Sequence, residues 1–199
     1  GFWGNHMRRI AGFIARLVEL RDSYTASHHS RVGAYASAFA DHLGLSDKEA
    51  FQLTYGASIH DLGKLAVDED ILKKPRRLSE AEFAHIQQHC RLGLDLMTPL
   101  RLDQSIEDIV LYHHENFDGS GYPLNLKQDE IPWLARIVRI IDSYDAMTGE
   151  RPYRQPVSPK EALDILNRDQ RFYDPDFLAQ FEKFISKYKS KALFQDRLQ

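Results

Sequence analysis

Apolar residues recur at intervals of three and four through most of the chain, and no stretch alternates long enough to read as a useful strand. That period places them along one side of a helix and makes an all-α fold the expectation. Ile10, Phe13, Ile14, Leu17 and Leu20 predict a first amphipathic helix. A second is expected over 24–43, with His28, Val32, Tyr35 and Phe39 near one face. Ser46 with Glu49, and Ser79 with Glu82, have the spacing at which a hydroxyl and a carboxylate cap a helix start reciprocally. The first pair should open a helix ending near His60-Asp61, because Gly63 follows; the second should open one that carries His89. Residues 103–115 read as a helix ending in His113-His114, and Pro132 opens another through 147. Ser158-Pro159-Lys160-Glu161 and Asp174-Pro175 mark two further starts, the last followed by Phe177, Leu178, Phe181, Phe184 and Ile185 facing inward. Between them, 116–130 is rich in glycine and turn residues and reads as a loop. The path of 63–78 is not fixed by its residues.

A chain of 199 residues can bury one sizeable core. Its net charge of -3 argues against a partner that is a nucleic-acid polymer. No apolar run is long enough to span a membrane, and a single cysteine, Cys90, fits a reducing compartment, so the cytoplasm is the expected location. Residues 1–7 read as a cloning scar, 8–187 as one folded domain and 188–199 as a helical tail.

Chemistry points to the nine histidines. His60-Asp61 and His113-His114 each fall at a predicted helix end, where the turning backbone lets adjacent side chains converge. A lone helical histidine is usually a surface or satisfied core residue, and a His-Asp pair is equally weak; the combination carries more. Divalent transition metals take neutral imidazole nitrogens and carboxylate oxygens, and an aspartate can bridge two ions.

The order His28, His60-Asp61, His89, His113-His114, Asp142 resembles the HD-GYP subgroup of the HD phosphohydrolase superfamily. So do the words RDSYTASHHSRV at 21–32, HDLGK at 60–64, HHENFDGSGYP at 113–123 and ARIVRIIDSYDAMTGERPYR at 135–154. The resemblance implies a single helical domain of about seven helices, with long loops around a buried two-metal site. It implies one ion on His28, His60, Asp61 and Asp142 and a second on Asp61, His89, His113 and His114, the metals being iron or manganese. The implied activity is hydrolysis of cyclic di-GMP, a bacterial second messenger, to linear pGpG, with or without a further step to GMP, by a hydroxide bridging the ions. Asp61 and Lys64 would act in catalysis, and Lys64, Tyr122, Arg151 and Arg154 would meet substrate. Lys64 could otherwise be a solvated surface lysine, and the two arginines a solvated helix end. Tyr122 could shape the pocket, stack on a base or dock a partner; the family loop is linked to GGDEF-type cyclase domains, and a dimer is compatible with it.

His29, His42 and His85 fall outside the implied ligand positions, His29 because it departs from His28 by about 100° around the helix. Some relatives place a glutamate four residues before the first ligand histidine, where it supports a third metal. Tyr24 stands there, and a phenol is a poor ligand near neutral pH, so two metals are expected. Residues 124–128 lack the glycines common in relatives, which leaves the loop conformation open. The competing readings are hydrolysis of 3',3'-cyclic GMP-AMP, a nucleotidase of the wider superfamily, and a cyclic-dinucleotide sensor or cyclase-docking module without turnover.

Overall fold

The computed structural model describes residues 2–22, 27–74, 77–150 and 154–195, with side chains over 5–22, 27–74, 77–150 and 154–188. Among these residues the regular structure is helical throughout. The α-helices run α1 Phe2–Arg21, α2 His28–Leu43, α3 Asp47–Ile59, α4 Glu69–Leu72, α5 Glu80–Gln87, α6 His89–Met97, α7 Gln104–Tyr112, α8 Trp133–Thr148, α9 Pro159–Arg168 and α10 Pro175–Gln195. A 3-10 turn over Leu62–Ala66 joins α3 to α4.

Local chemistry sets most of the boundaries. Ser46 accepts from the Glu49 amide while the Glu49 carboxylate accepts from the Ser46 amide, and Ser79 and Glu82 do the same for α5. Asp103 caps α7 through the Ser105 amide, Ser158 caps α9 through Glu161, and Asp174 accepts from the first amides of α10. Two departures account for the helices beyond those expected. The segment 63–78 contains the single turn α4, and the helix expected to run from Ser79 through His89 breaks at Gln88, so that His89 opens α6.

The predicted first helix forms but buries another face. Ala11, Ala15 and Val18 lie within 5% of full burial, whereas Phe13 is 64% and Leu20 73% exposed. Of the expected residues, Ile14 packs on that buried side with Ala11. The helix also runs back through residues 2–7.

Two apolar clusters form. One joins α2, α3, α7, α8, α9 and α10 around Phe39, Ile137, Ile141, Tyr144 and Phe181. The other joins α1, α3, the 3-10 turn, α6 and α7 around Tyr55, Ile59, Met97 and Val110. Helices α3 and α7 contribute to both, and their C-terminal ends carry His60 and His113.

Backbone approach fixes the remaining geometry. At Gly63 a Cβ would sit 1.7 Å from the carbonyl oxygen of His89 and 2.6 Å from the Gly93 nitrogen, so the 3-10 turn crosses α6 with nothing between them. The loop after His114 folds onto Glu115, which is buried and accepts from the amides of Leu124 at 2.6 Å and Leu126 at 3.0 Å.

Candidate metal centre

Every expected metal ligand stands at a helix end or on α8. His28 opens α2, His60 ends α3, Asp61 precedes the 3-10 turn, His89 opens α6, and His113 ends α7 with His114 next. Asp142 projects from α8. These seven residues meet in one buried cluster. His28 Nε2 lies 3.1 Å from Asp142 Oδ1, and His60 Nε2 lies 3.6 Å from the same oxygen. Asp61 faces both sides: Oδ2 is 3.5 Å from His60 Nε2, while Oδ1 is 3.3 Å from His89 Nε2 and 3.5 Å from His113 Nε2. Ligand atoms of Asp61, His89, His113 and His114 fall within 4.8 Å of one another, and so do those of His28, His60 and Asp142.

The rings are oriented from behind. His60 Nδ1 donates to the Ala57 carbonyl at 2.7 Å, His89 Nδ1 to Ile86 at 2.7 Å, and His113 Nδ1 to Val110 at 3.0 Å. Each acceptor is the carbonyl three residues earlier. His28 Nδ1 is held instead by Asp145 Oδ2 at 2.6 Å, and Arg31 Nε anchors the other Asp145 oxygen at 2.7 Å. All four contacts put the Nδ1 edge outward and leave Nε2 for the centre, as metal-binding histidines require. His60 Nε2 is buried with no hydrogen-bond partner. Orphaned imidazole nitrogens converging on two carboxylates fit a pair of divalent ions.

Electrostatics keep the donors in their binding forms. Burial would raise Asp61, but Lys64, with Nζ 2.8 Å from Oδ2, and then His60 hold it well below the usual carboxylate range. Burial would likewise raise Asp142, and hydrogen bonds from His28 and His60 lower it instead. His113 is lowered to about 4, mainly by burial, and is neutral near pH 7. His28 behaves oppositely: burial pulls it down, yet hydrogen bonds to Asp142 and Asp145 raise it to about 9. A cation arriving between Asp142 and His28 would replace that proton.

The remaining expected residues are placed unevenly. Lys64 is no solvated lysine; it pairs with Asp61 and, at 3.3 Å, with Asp22. Tyr122 stacks on His114 at 4.8 Å between ring centres, with its amide donating to the His114 carbonyl. Arg154 is exposed between α8 and α9. Arg151 and Tyr24 lie outside the described residues. His42 sits against Phe39 and Gln180.

His29 departs from expectation. It is fully buried inside the cluster, with Nε2 3.7 Å from Asp61 Oδ2. The 100° step from His28 carries it toward α3, because the cluster surrounds the first turn of α2. Asp145 and Glu115 likewise stand outside the residues expected from the sequence. Asp145 lies three residues past Asp142, a spacing that puts both on one helix face and could have flagged it.

Comparison with known proteins agrees with this geometry. The profile of the HD domain family matches residues 12–177. A cyclic di-GMP phosphodiesterase of Thermotoga maritima is 36% identical over 170 residues, covering 84% of this chain and 46% of that protein. The 3'3'-cGAMP-specific phosphodiesterase 3 of Vibrio cholerae is 33% identical over 182 residues, 91% of this chain and 40% of that protein. The crystal structure of a cyclic GMP-AMP specific phosphodiesterase from V. cholerae superimposes with a TM-score of 0.57 at 28% identity, over 92% of this chain and 41% of that one. The chain spans less than half the length of these relatives. On the match of residues 12–177 and on the motifs quoted above, the chain belongs to the HD domain family, in its HD-GYP branch.

Proposed function

We infer that this domain is a metal-dependent phosphodiesterase that hydrolyses cyclic di-GMP to linear pGpG. The observation that carries the reading is Asp61, whose two oxygens face two separate sets of inward-pointing Nε2 atoms. His28, His60, Asp61 and Asp142 would hold one divalent ion, and Asp61, His89, His113 and His114 the other, with iron or manganese suited to the donor set. When bound, such a pair supplies a water nucleophile at neutral pH and offsets charge on the phosphate.

The chain's own groups do the rest. Lys64 holds Asp61 ionised and stands at the edge of the centre, where its ammonium can meet a phosphate oxygen. Tyr122 holds the His114 ring face-on and walls that side of the site. Arg151 and Arg154, carried by the stretch after α8, supply fixed positive charge for the bases or the distal phosphate. The relatives named for cyclic di-GMP and for 3'3'-cGAMP support a cyclic dinucleotide as substrate, and their similar identities keep cyclic GMP-AMP as the second reading.

The test uses the purified chain loaded with manganese or with iron under anaerobic conditions, given either dinucleotide, with products resolved by chromatography. Cyclic di-GMP should be opened to pGpG, a chelator should abolish turnover, and Asp61→Ala should lower it by orders of magnitude. Faster turnover of cyclic GMP-AMP would move the assignment to the second reading. A protein that holds two ions yet turns over neither substrate would overturn this reading in favour of a nucleotidase or of a sensor without turnover.

A further inference from the structure

We propose that His29 is a protein ligand of the same ion as His28 and His60, which gives that ion five ligands from the chain and leaves the two metal positions unequal. The proposal rests on reading the cluster as a metal centre.

His29 is fully buried, and neither of its ring nitrogens has a hydrogen-bond partner. Burying an imidazole without a partner is unfavourable, so a partner is to be sought. The nearest carboxylate oxygen, Asp61 Oδ2, is 3.7 Å away, too far for a hydrogen bond. It is a suitable distance for two atoms bound to one ion, because two bonds of about 2.1 Å end at most about 4.2 Å apart. His60 Nε2 stands 3.5 Å from the same oxygen, and donor atoms of His29, His60 and Asp61 lie within 4.8 Å of one another.

The ring of His60 decides how many ions are involved. Its Nδ1 is committed to the Ala57 carbonyl, which leaves a single lone pair, at Nε2. That lone pair belongs both to the set of His28, His60 and Asp142 and to the set of His29, His60 and Asp61. One lone pair serves one ion, and His60 belongs to both sets, so an ion bound at His60 Nε2 would draw the two sets, separate in the structure, together with ligands His28, His29, His60, Asp61 and Asp142. The other ion has Asp61, His89, His113 and His114. A six-coordinate ion in the first position keeps one place open, and in the second it keeps two. The second position, beside Tyr122, is therefore the one with room for a substrate phosphate. Behind the centre, His29 also lines a cavity of about 710 Å³ between α1, α2 and α3, with the hydroxyls of Ser30, Thr54 and Ser58, where the ring nitrogen not used by an ion can find a partner or a water.

Zinc binding to metal-stripped protein tests this in two ways. In wild-type protein with nitrogen-15 histidine, NMR counts the imidazoles whose ring nitrogens move to metal-bound shifts. Of nine histidines, six should move, namely His28, His29, His60, His89, His113 and His114. In a competition titration against a chromophoric chelator, His29→Ala should weaken the tighter of two zinc sites by at least about tenfold and leave the other unchanged. Thermal unfolding of stripped His29→Ala should stay near wild type while the rise on adding zinc shrinks. Two bound zinc ions with only five histidines moving, or His29→Ala with wild-type affinities, overturns the role of His29 and leaves the metal centre standing. Wild-type protein that takes up no zinc overturns both.

Discussion

At the scale of the residue, the centre depends on groups that never touch an ion. Asp145 is buried on α8, holds His28 at 2.6 Å and is itself held by Arg31. An amide in its place could donate to His28 Nδ1, leaving the ring in the wrong tautomer with its proton at Nε2. Asp145→Asn should therefore lower metal affinity by about 10–100-fold with the helices intact. Chelator competition and circular dichroism on the same sample check this; unchanged affinity would show that the backbone alone orients His28. Lys64 has a comparable double position, since the charge that could meet substrate also neutralises Asp61. Its removal should be read in both metal content and turnover before any part is assigned to the phosphate.

At the scale of the element, helix ends explain what was legible and what was not. The capping pairs Ser46/Glu49 and Ser79/Glu82 act within four residues, so their chemistry is complete in the local sequence, and α3 and α5 begin where those pairs say. The break at Gln88 and the inward turn of His29 depend on what packs against α6 and α2, which no local window contains. The same holds for α1, where Ala11, Ala15 and Val18 are buried while Phe13 and Leu20 stay exposed. Two glycines separate these influences. Gly63→Ala places a methyl group against backbone atoms of His89 and Gly93. It should cost about 1–3 kcal/mol or more and displace His89 from the centre. Gly12, within α1, has nothing within 4 Å of where its Cβ would lie, so Gly12→Ala should stabilise by about 0.5–1 kcal/mol through helix propensity. Denaturant melts of the two variants should move in opposite directions; two shifts of the same sign would mean that the packing around Gly63 is looser than these distances say.

At the scale of the whole molecule, the family motifs made the all-α class readable and pointed to seven residues that the fold does bring together, because those residues are unusual and ordered along the chain. The arrangement of two apolar clusters sharing α3 and α7 came only with the structure. Among the described residues no helix is long and apolar enough to cross a membrane. The buried histidines also shape global stability. His113 and His29 are each lowered to about 4, with burial the largest cause, against 6.5 for an ordinary histidine. Between those values the unfolded chain binds protons that the folded one does not, so stability falls as pH drops through the window from 6.5 toward 4. His28, raised to about 9, is protonated in both states below 6.5; its contribution is lost as pH climbs from 6.5 through 9. The metal-free protein should melt highest near pH 6.5 and lower at both 4.5 and 9. A melting temperature flat from 4.5 to 6.5 would show that these rings are hydrated when no ion is bound.

The proposed ligands are spread from residue 28 to residue 142, and that spacing would set an order in time. A chain emerging from the ribosome offers His28, His29, His60 and Asp61 first, with Asp142 of the proposed first position still to come. The set around Asp61 completes only with His114, and Asp142 arrives after the whole loop of 116–130. On this ligand set the second position would be complete before the first, so loading with metal would begin there and end only once α8 has been made.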